Sequence, residues 1–165
     1  MSHFSIEEFK KNHVAKLETR ELNWIATAQE AIDPKYKRGQ KAYIVGDGGN
    51  DTGKIKADHF NLRTMVIPSG CEGPLHMHDD VEEVFFVLKG NMIAMIQDKD
   101  GGEIHEIPLQ DRDCISVPPN DIYRGIKNVG DEEALVLVIL GGPTPHPETY
   151  PKDSDLEKLR LSQSQ

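Results

Sequence analysis

A long succession of short apolar segments constrains the fold more than any other feature of this sequence. Between residues 41 and 141, runs rich in Val, Ile and Phe alternate with clusters of Gly, Asn, Asp and Pro. Such segments are typical of β-strands, and the clusters between them are typical of turns. Two of these clusters, DKDGG at 98–102 and VGDEE at 129–133, predict hairpin turns. We count about eight or nine strand-like segments and see no alternation of strands with helices, which predicts an all-β sandwich or barrel.

The sequence divides into three segments of different character. The predicted boundaries are residues 1–40 for an N-terminal helix and arm, 41–142 for the β-barrel and 143–165 for a C-terminal arm. The N-terminal helix is predicted over 4–18, where Ser5 and Glu8 form a capping box. The C-terminal arm begins with an extended, proline-rich stretch that we expect to wrap over the barrel. It ends in a short helix that Ser154 and Glu157 cap.

Composition and charge exclude several classes of protein. The 165 residues are enough for a single core, and 37% hydrophobic residues are too many for a disordered chain. The formal net charge of −9 argues against nucleic acid and against anionic membrane surfaces as partners. No signal peptide is recognisable, and the apolar run 134–142 is far shorter than the ~20 residues that cross a bilayer. Two cysteines without a Cys-x-x-Cys motif suit free thiols, so we expect a cytoplasmic protein.

A cluster of histidines and carboxylates precedes one of the predicted core strands. His76 and His78 are two residues apart, so on a strand their side chains point to the same face. Asp79 and Asp80 are typical turn residues, and a turn there lets Glu83 face back toward the histidines. Two imidazoles and one carboxylate on one face make the facial triad typical of non-haem Fe(II) proteins, although Mn, Ni or Zn also suit these ligands. The alternative is a solvated acidic turn with two surface histidines.

These residues resemble the first conserved motif of the cupin superfamily. The segment GCEGPLHMHDDVEEVFFVLKG places its residues on the fixed positions of that motif, which are Gly70, His76, His78, Glu83 and Gly90. The resemblance implies a double-stranded β-helix, the jelly-roll cupin barrel, with a metal ion in its mouth. It also implies that His76, His78 and Glu83 are the metal ligands.

The second cupin motif is degenerate in this sequence. Pro118 fits the motif, whereas other fixed positions are occupied by Arg112, Asn120 and Tyr123, and Asn128 lies one place beyond the expected Asn. Tyr123 then stands where the fourth ligand, a histidine, is expected. It could ligate as a phenolate, hydrogen-bond a bound substrate or oxygen, or simply line the barrel. We predict the second role, as a catalytic residue that faces the pocket, with Arg124 on the opposite face.

Other histidines could supply the missing ligand, and apolar residues of several strands could form the walls of the pocket. The remaining candidates for a fourth ligand are His59, His105 and His146, although a surface position is more usual for each. The predicted apolar lining consists of Met65, Phe85, Met92, Met95 and Ile115.

The predicted outer face of the core strand is unusually apolar. Val84, Phe86 and Leu88 share this face, and 135–140 is apolar on both faces. The N-terminal helix is one possible cover. Contact between two copies of the sheet is another, and because cupins are commonly dimeric we predict a homodimer.

Three functions are consistent with these features. The first is a non-haem iron dioxygenase that acts on a small phenolic or other aromatic compound. The second is a non-catalytic cupin subunit, because the barrel and tail also resemble the small subunit of two-component hydroquinone dioxygenases. That resemblance implies a larger catalytic partner. The third is a small-molecule-binding or isomerase-type cupin, in which a metal acts only as a Lewis acid or is not used.

Overall fold

The computed structural model describes residues 5–24, 29, 32–46 and 55–163. Two α-helices flank a region of strands. The helices are α1 (Ile6–His13) and α2 (Asp155–Gln163). The strands are β1 (Gly39–Val45), β2 (Ile55–Lys56), β3 (Phe60–Ile67), β4 (Glu72–His76), β5 (Glu83–Lys89), β6 (Met92–Asp98), β7 (His105–Leu109), β8 (Cys114–Val117), β9 (Ile122–Asn128) and β10 (Ala134–Gly141). The sequence also suits a helical turn at residues 27–32, and most of these residues lie outside the described part of the chain.

The strands form two sheets that enclose one core, as the all-β prediction expected. The six-stranded sheet has the order β2-β1-β3-β10-β5-β8, and the four-stranded sheet has the order β4-β9-β6-β7. All pairs are antiparallel except β1 with β2. Neighbours in the sheets are often distant in sequence, which is typical of a jelly roll. The structure therefore confirms the predicted jelly-roll barrel with a short helix at each end.

Strict alternation of side chains builds the core between the sheets. In β5, Glu83, Phe85 and Val87 are buried, because alternate residues of a strand point to the same face. The apolar core consists of Met65, Ile67, Phe85, Val87, Met92, Ile126, Ala134, Val136 and Val138. It draws residues from both sheets, so the core holds the sheets face to face.

Of the two predicted hairpin turns, the structure contains the first and not the second. The segment after Asp98 joins β6 to β7 as a hairpin, and Gly101 and Gly102 adopt the positive φ that such a turn needs. The segment 129–133 was also expected to make a hairpin, but β9 and β10 belong to different sheets. Asn128 stabilises this crossing, since its buried side chain donates to the carbonyls of Ile67 and Glu132.

The N-terminal helix is shorter than expected and covers none of the core. Ser5 caps α1 as predicted, with its Oγ 3.4 Å from the backbone nitrogen of Glu8. The helix ends at His13 rather than at residue 18, because Val14 is extended. No residue of α1 is buried, and Phe9 is 45% exposed. The helix is therefore not the cover for the apolar outer face of β5.

The C-terminal arm crosses the barrel and is anchored to it. Thr149 makes an isolated antiparallel bridge with Met77, through backbone hydrogen bonds of 2.8 and 3.0 Å. Ser154 then caps α2, since its Oγ accepts from the backbone N–H of Glu157. Leu156 is buried and holds the helix against the rest of the protein. In the described residues, neither helix is long and apolar enough to cross a membrane.

The outer face of the six-stranded sheet carries an apolar patch. On β5, Val84 and Phe86 are half-buried and Leu88 is 41% exposed. Leu137 lies directly opposite Phe86, and Ile139 lies opposite Val84. A contiguous apolar surface on a sheet is typical of an interface between subunits. We therefore retain the prediction of a homodimer built across this patch.

Replacing Phe86 by Asp tests the homodimer. A carboxylate at the centre of an apolar interface must be desolvated, so Phe86→Asp should shift the protein to monomers or to aggregates. Ile107→Asp is the control, because Ile107 is an apolar residue, 42% exposed, on the other sheet. Sedimentation velocity measures both. A wild-type protein that remains monomeric at high concentration would contradict the prediction.

Candidate metal centre

Three side chains with metal-ligand chemistry meet where β4 ends and β5 begins. His76 is the last residue of β4, His78 follows it after one residue, and Glu83 opens β5. The ligand atoms of these three side chains all lie within 4.8 Å of one another. The turn at Asp79 and Asp80 returns the chain so that Glu83 faces the two histidines.

The ring of His76 is held in one orientation by hydrogen bonds at both nitrogens. Nδ1 lies 2.9 Å from the carbonyl oxygen of Pro74, which can only accept a hydrogen bond, so Nδ1 is the donor. Nε2 lies 3.0 Å from Oε2 of Glu83. Metal-bound histidines usually donate their second ring N–H to a carbonyl or carboxylate in this way. Nε2 of His76 is therefore the atom available either to a metal ion or to a proton.

The Glu83 carboxylate is ionised despite its burial. Burial opposes the charge, but His76 and Arg124 more than compensate and lower the pKa of Glu83 to about 2. The reciprocal effect acts on His76. Burial disfavours its charged form, yet the Glu83 carboxylate raises the pKa of His76 above its usual value. Without a metal ion, this pair can therefore exist as a buried ion pair.

His78 differs from His76 in its hydrogen bonding. Its Nδ1 is buried and has no hydrogen-bond partner within the described part of the chain. Burial is the main reason that the pKa of His78 lies below its usual value. A neutral imidazole with an unsatisfied buried nitrogen is costly unless something binds near it.

These observations fit a divalent metal ion held by His76, His78 and Glu83. Two imidazole nitrogens and one carboxylate are a common donor set for Fe(II), Mn(II), Ni(II) or Zn(II). The separation of 3.0 Å between Nε2 of His76 and Oε2 of Glu83 also suits neighbouring ligands on one ion. Two atoms at right angles and ~2.1 Å from an ion are about 3 Å apart. The assignment of the three residues as ligands stays a prediction.

Arg124 occupies the position where a fourth ligand would be expected. It lies on β9 directly opposite His76 of β4, and its side chain is fully buried. Nε of Arg124 donates to Oε2 of Glu83 at 2.9 Å. A guanidinium is always charged and has no lone pair for a metal, so Arg124 can fix the carboxylate but cannot be a ligand.

This placement corrects the expectation for Tyr123. Successive residues of a strand face opposite sides, and here the inward position belongs to Arg124. Tyr123 is buried, but it does not line the cavity beside the triad. Burial is the main cause of its raised pKa, and its charged neighbours, Glu157 and Arg160, belong to α2. Tyr123 therefore lies on the side of β9 nearer the charges of α2 and does not close the pocket.

The register of β9 follows from one extra residue before the strand. Asn120 and Asp121 both have positive φ values, of 62° and 64°. Asn and Asp are among the few side chains that tolerate this conformation. The displaced Asn128 was the signal in the sequence, because the second cupin motif counted back from Asn128 places Arg124, not Tyr123, at the histidine position.

A cavity of about 160 Å³ lies beside the triad. Its apolar wall includes Met65 and Phe85, two of the five predicted lining residues, and also Ile126 and Val138. The other three predicted residues, Met92, Met95 and Ile115, are not among the described residues that line it. The cavity therefore joins an apolar surface to a cluster of potential ligands, which is the usual character of a small-molecule site.

The C-terminal arm adds a second carboxylate that sequence analysis missed. Glu148 lines the cavity with the triad. Oε1 of Glu148 accepts hydrogen bonds from the hydroxyl of Tyr150 at 2.6 Å and from Nε2 of Gln29 at 2.9 Å. Gln29 in turn accepts from Arg38, which also lines the cavity. The only hint in the sequence was that the arm should wrap over the barrel.

The other histidines do not join the triad. His59 and His105 are exposed on the surface. His146 is also exposed, and its Nδ1 lies 3.0 Å from Oδ1 of Asp79 at the rim. None of the three belongs to the group that contains Glu83.

Comparisons with known proteins agree with this fold. Residues 63–140 match the family model of the cupin domain. The chain is 39% identical over 77 residues to auxin-binding protein 1 of Arabidopsis thaliana, covering 45% of this chain and 38% of the relative. It is 36% identical over 93 residues to an acireductone dioxygenase of Bacillus mycoides, covering 56% and 48%. It is 33% identical over 57 residues to a 3-hydroxyanthranilate 3,4-dioxygenase of Ruegeria pomeroyi, covering 34% and 31%. The chain thus spans less than half the length of each of these relatives.

Solved structures support the fold over most of the chain. The polyketide cyclase RemF of Streptomyces resistomycificus superposes with a TM-score of 0.61 at 18% identity, covering 90% of this chain and 92% of that protein. An RmlC-like cupin of Shewanella frigidimarina superposes with a TM-score of 0.56 at 16% identity, covering 81% and 92%. These structures share the jelly-roll fold with the chain, and residues 63–140 of that fold match the cupin domain.

Proposed function

We propose that this cupin is a metal-dependent dioxygenase of a small phenolic or other aromatic compound, with Fe(II) as the favoured metal. The observation that carries the proposal is the convergence of His76, His78 and Glu83 beside a partly apolar cavity. Bound by these three side chains, Fe(II) would supply coordination positions for O₂ and for an oxygen of the substrate.

The size of the cavity limits the substrate. A volume of about 160 Å³ is close to that of an apolar cavity known to hold one benzene molecule, at ~150 Å³. Drug-sized ligands need pockets of roughly 300 Å³ or more. The apolar wall formed by Met65, Phe85 and Ile126 suits the faces of one aromatic ring. A single-ring compound with small polar substituents therefore fits best.

The protein's own residues would hold the reacting groups in place. The carbonyl of Pro74 orients His76, and Arg124 orients the carboxylate of Glu83. Both contacts come from groups that are themselves fixed in the barrel, so little reorganisation is needed when a metal or substrate binds. The two dioxygenases among the partial relatives support the choice of reaction class.

A second candidate function follows from the charge of Arg124. Arg124 alone balances the charge of Glu83 without any metal, and His76 hydrogen-bonds the same carboxylate oxygen. This observation favours a small-molecule-binding or isomerase-type cupin. A role as the small subunit of a two-component ring-cleaving dioxygenase is also retained, and co-purification of a larger catalytic partner would support it.

Removing one proposed ligand tests the dioxygenase function. His76→Ala should eliminate the bound metal, because two remaining ligands hold a divalent ion weakly, and should abolish oxygen uptake with catechol or hydroquinone. Elemental analysis, an oxygen electrode and circular dichroism measure metal, turnover and fold. His105→Ala, an exposed histidine outside the site, is the control. If the variant keeps stoichiometric metal, the site is wrong. If the wild type takes up no oxygen after Fe(II) is added, the second candidate function is favoured.

Two histidine substitutions test the register of β9. Arg124→His should increase metal affinity at least about tenfold, because it adds an imidazole and removes a buried positive charge near the ion. Tyr123→His is the matched control and should leave metal affinity unchanged, since Tyr123 does not line the cavity. Competition with a chromophoric chelator measures both affinities. A gain in Tyr123→His alone would show that the register is wrong.

Breaking the buried ion pair tests its contribution to stability. Arg124→Met leaves Glu83 with only His76 as a partner, so the metal-free protein should lose about 3–5 kcal/mol in its free energy of unfolding. Adding a divalent metal should restore stability more in this variant than in the wild type, because the ion replaces the lost positive charge. Urea denaturation with and without metal measures both effects. An unchanged free energy of unfolding would show that the pair contributes little.

A further inference from the structure

The C-terminal arm reaches the candidate site through a specific backbone contact. Thr149 pairs with Met77, and Met77 lies between the two histidines of the triad. This bridge brings the neighbouring Glu148 to the wall of the cavity. The position of Glu148 is therefore tied to the position of the histidines, although the two segments are far apart in sequence.

The two oxygens of Glu148 have different surroundings. Oε1 accepts both hydrogen bonds, from Tyr150 and from Gln29. Oε2 has no hydrogen-bond partner among the described residues, and the Glu148 side chain lines the cavity. One oxygen thus fixes the side chain, and the other remains available as an acceptor.

The carboxylate of Glu148 stays charged in this setting. Burial opposes its ionisation, but His76 and the hydrogen bond from Tyr150 outweigh burial and lower the pKa of Glu148 below its usual value. Glu148 does not belong to the group of ligand atoms that lie within 4.8 Å of one another. It is therefore placed as an anionic acceptor apart from the candidate metal ligands.

We infer that Glu148 is a substrate-binding residue, whose Oε2 accepts a hydrogen bond from a hydroxyl of a ring compound bound beside the triad. The choice of a single-ring ligand rests on the proposed function. A ligand in this cavity that lacks a hydrogen-bond donor would leave a charged oxygen desolvated and unpaired, at a high cost in binding free energy. Glu148 thus selects hydroxylated rings over rings of the same shape without a hydroxyl.

Glu148→Gln reverses the hydrogen-bonding character of the cavity while keeping its shape. The amide oxygen can take the place of Oε1 and keep both hydrogen bonds, which turns an NH₂ donor toward the cavity in place of Oε2. Phenol and toluene are matched probes, because they have the same shape and differ in a hydroxyl and a methyl group. NMR titration of metal-free protein gives the Kd for each.

In the wild type, phenol should bind more tightly than toluene. In Glu148→Gln, the ratio of the toluene Kd to the phenol Kd should fall about tenfold, the scale of one charge-assisted hydrogen bond. Glu157→Gln is the control. Glu157 accepts from the backbone of Tyr150 in the same arm but lies outside the cavity lining, so it should keep the wild-type ratio.

Three results would overturn the inference. The first is an unchanged ratio in Glu148→Gln, and the second is an equal loss of affinity for both probes, which indicates a purely structural role. The third is loss of bound metal from Glu148→Gln, which would make Glu148 a ligand. The probes bind without metal, so a wild type that shows no oxygen uptake rejects the proposed function while leaving this measurement intact.

Discussion

The buried carboxylate of Glu83 is the constraint around which this end of the barrel is organised. An isolated charge in the interior would cost several kcal/mol, so the fold must supply partners for it. Glu83 belongs to the six-stranded sheet, whereas His76 and Arg124 belong to the four-stranded sheet. The ionic cluster therefore joins the two sheets at the mouth of the barrel, as the apolar core joins them in the middle. The hydrogen bonds of Glu83 that form the candidate site therefore also hold the two sheets together.

The presence of an arginine in this cluster gives the site two ways to be stable. Without any metal, Arg124 balances the charge of Glu83, and a proton on Nε2 of His76 bridges to the same carboxylate oxygen. With a divalent ion, that proton must leave His76, and the ion lies near a permanent positive charge. Arg124 thus weakens the attraction for a cation while it orients the carboxylate that would hold it. Whether the site binds a metal ion depends on the balance between these two effects of Arg124, the repulsion of the ion and the orientation of the carboxylate.

Patterns of alternating residues predicted most of the fold, whereas contacts between distant segments escaped them. The strand region, the Ser5 cap and the inward face of β5 all follow from local periodicity. The inward position of Arg124, rather than Tyr123, does not follow from periodicity. It depends on two successive residues with positive φ before β9. The turn after Asn128 was misassigned, since a turn motif does not show whether the next strand joins the same sheet. Glu148 could not be placed, because its position is set by a bridge to Met77, far away in the sequence.

The cavity is lined partly by strands of the barrel and partly by the C-terminal arm, and this division has an evolutionary consequence. The ion cluster comes from strands of both sheets, whereas Glu148 comes from an arm outside the two sheets, which the bridge from Thr149 to Met77 helps to hold against the barrel. Substitutions in the arm can therefore change which compounds are recognised with less effect on the barrel than substitutions in the ion cluster. Related chains that keep the histidines and the carboxylate while diverging after residue 143 would be expected to differ in ligand preference rather than in folding. In such a group of chains, ligand preference can change more readily than the residues of the ion cluster.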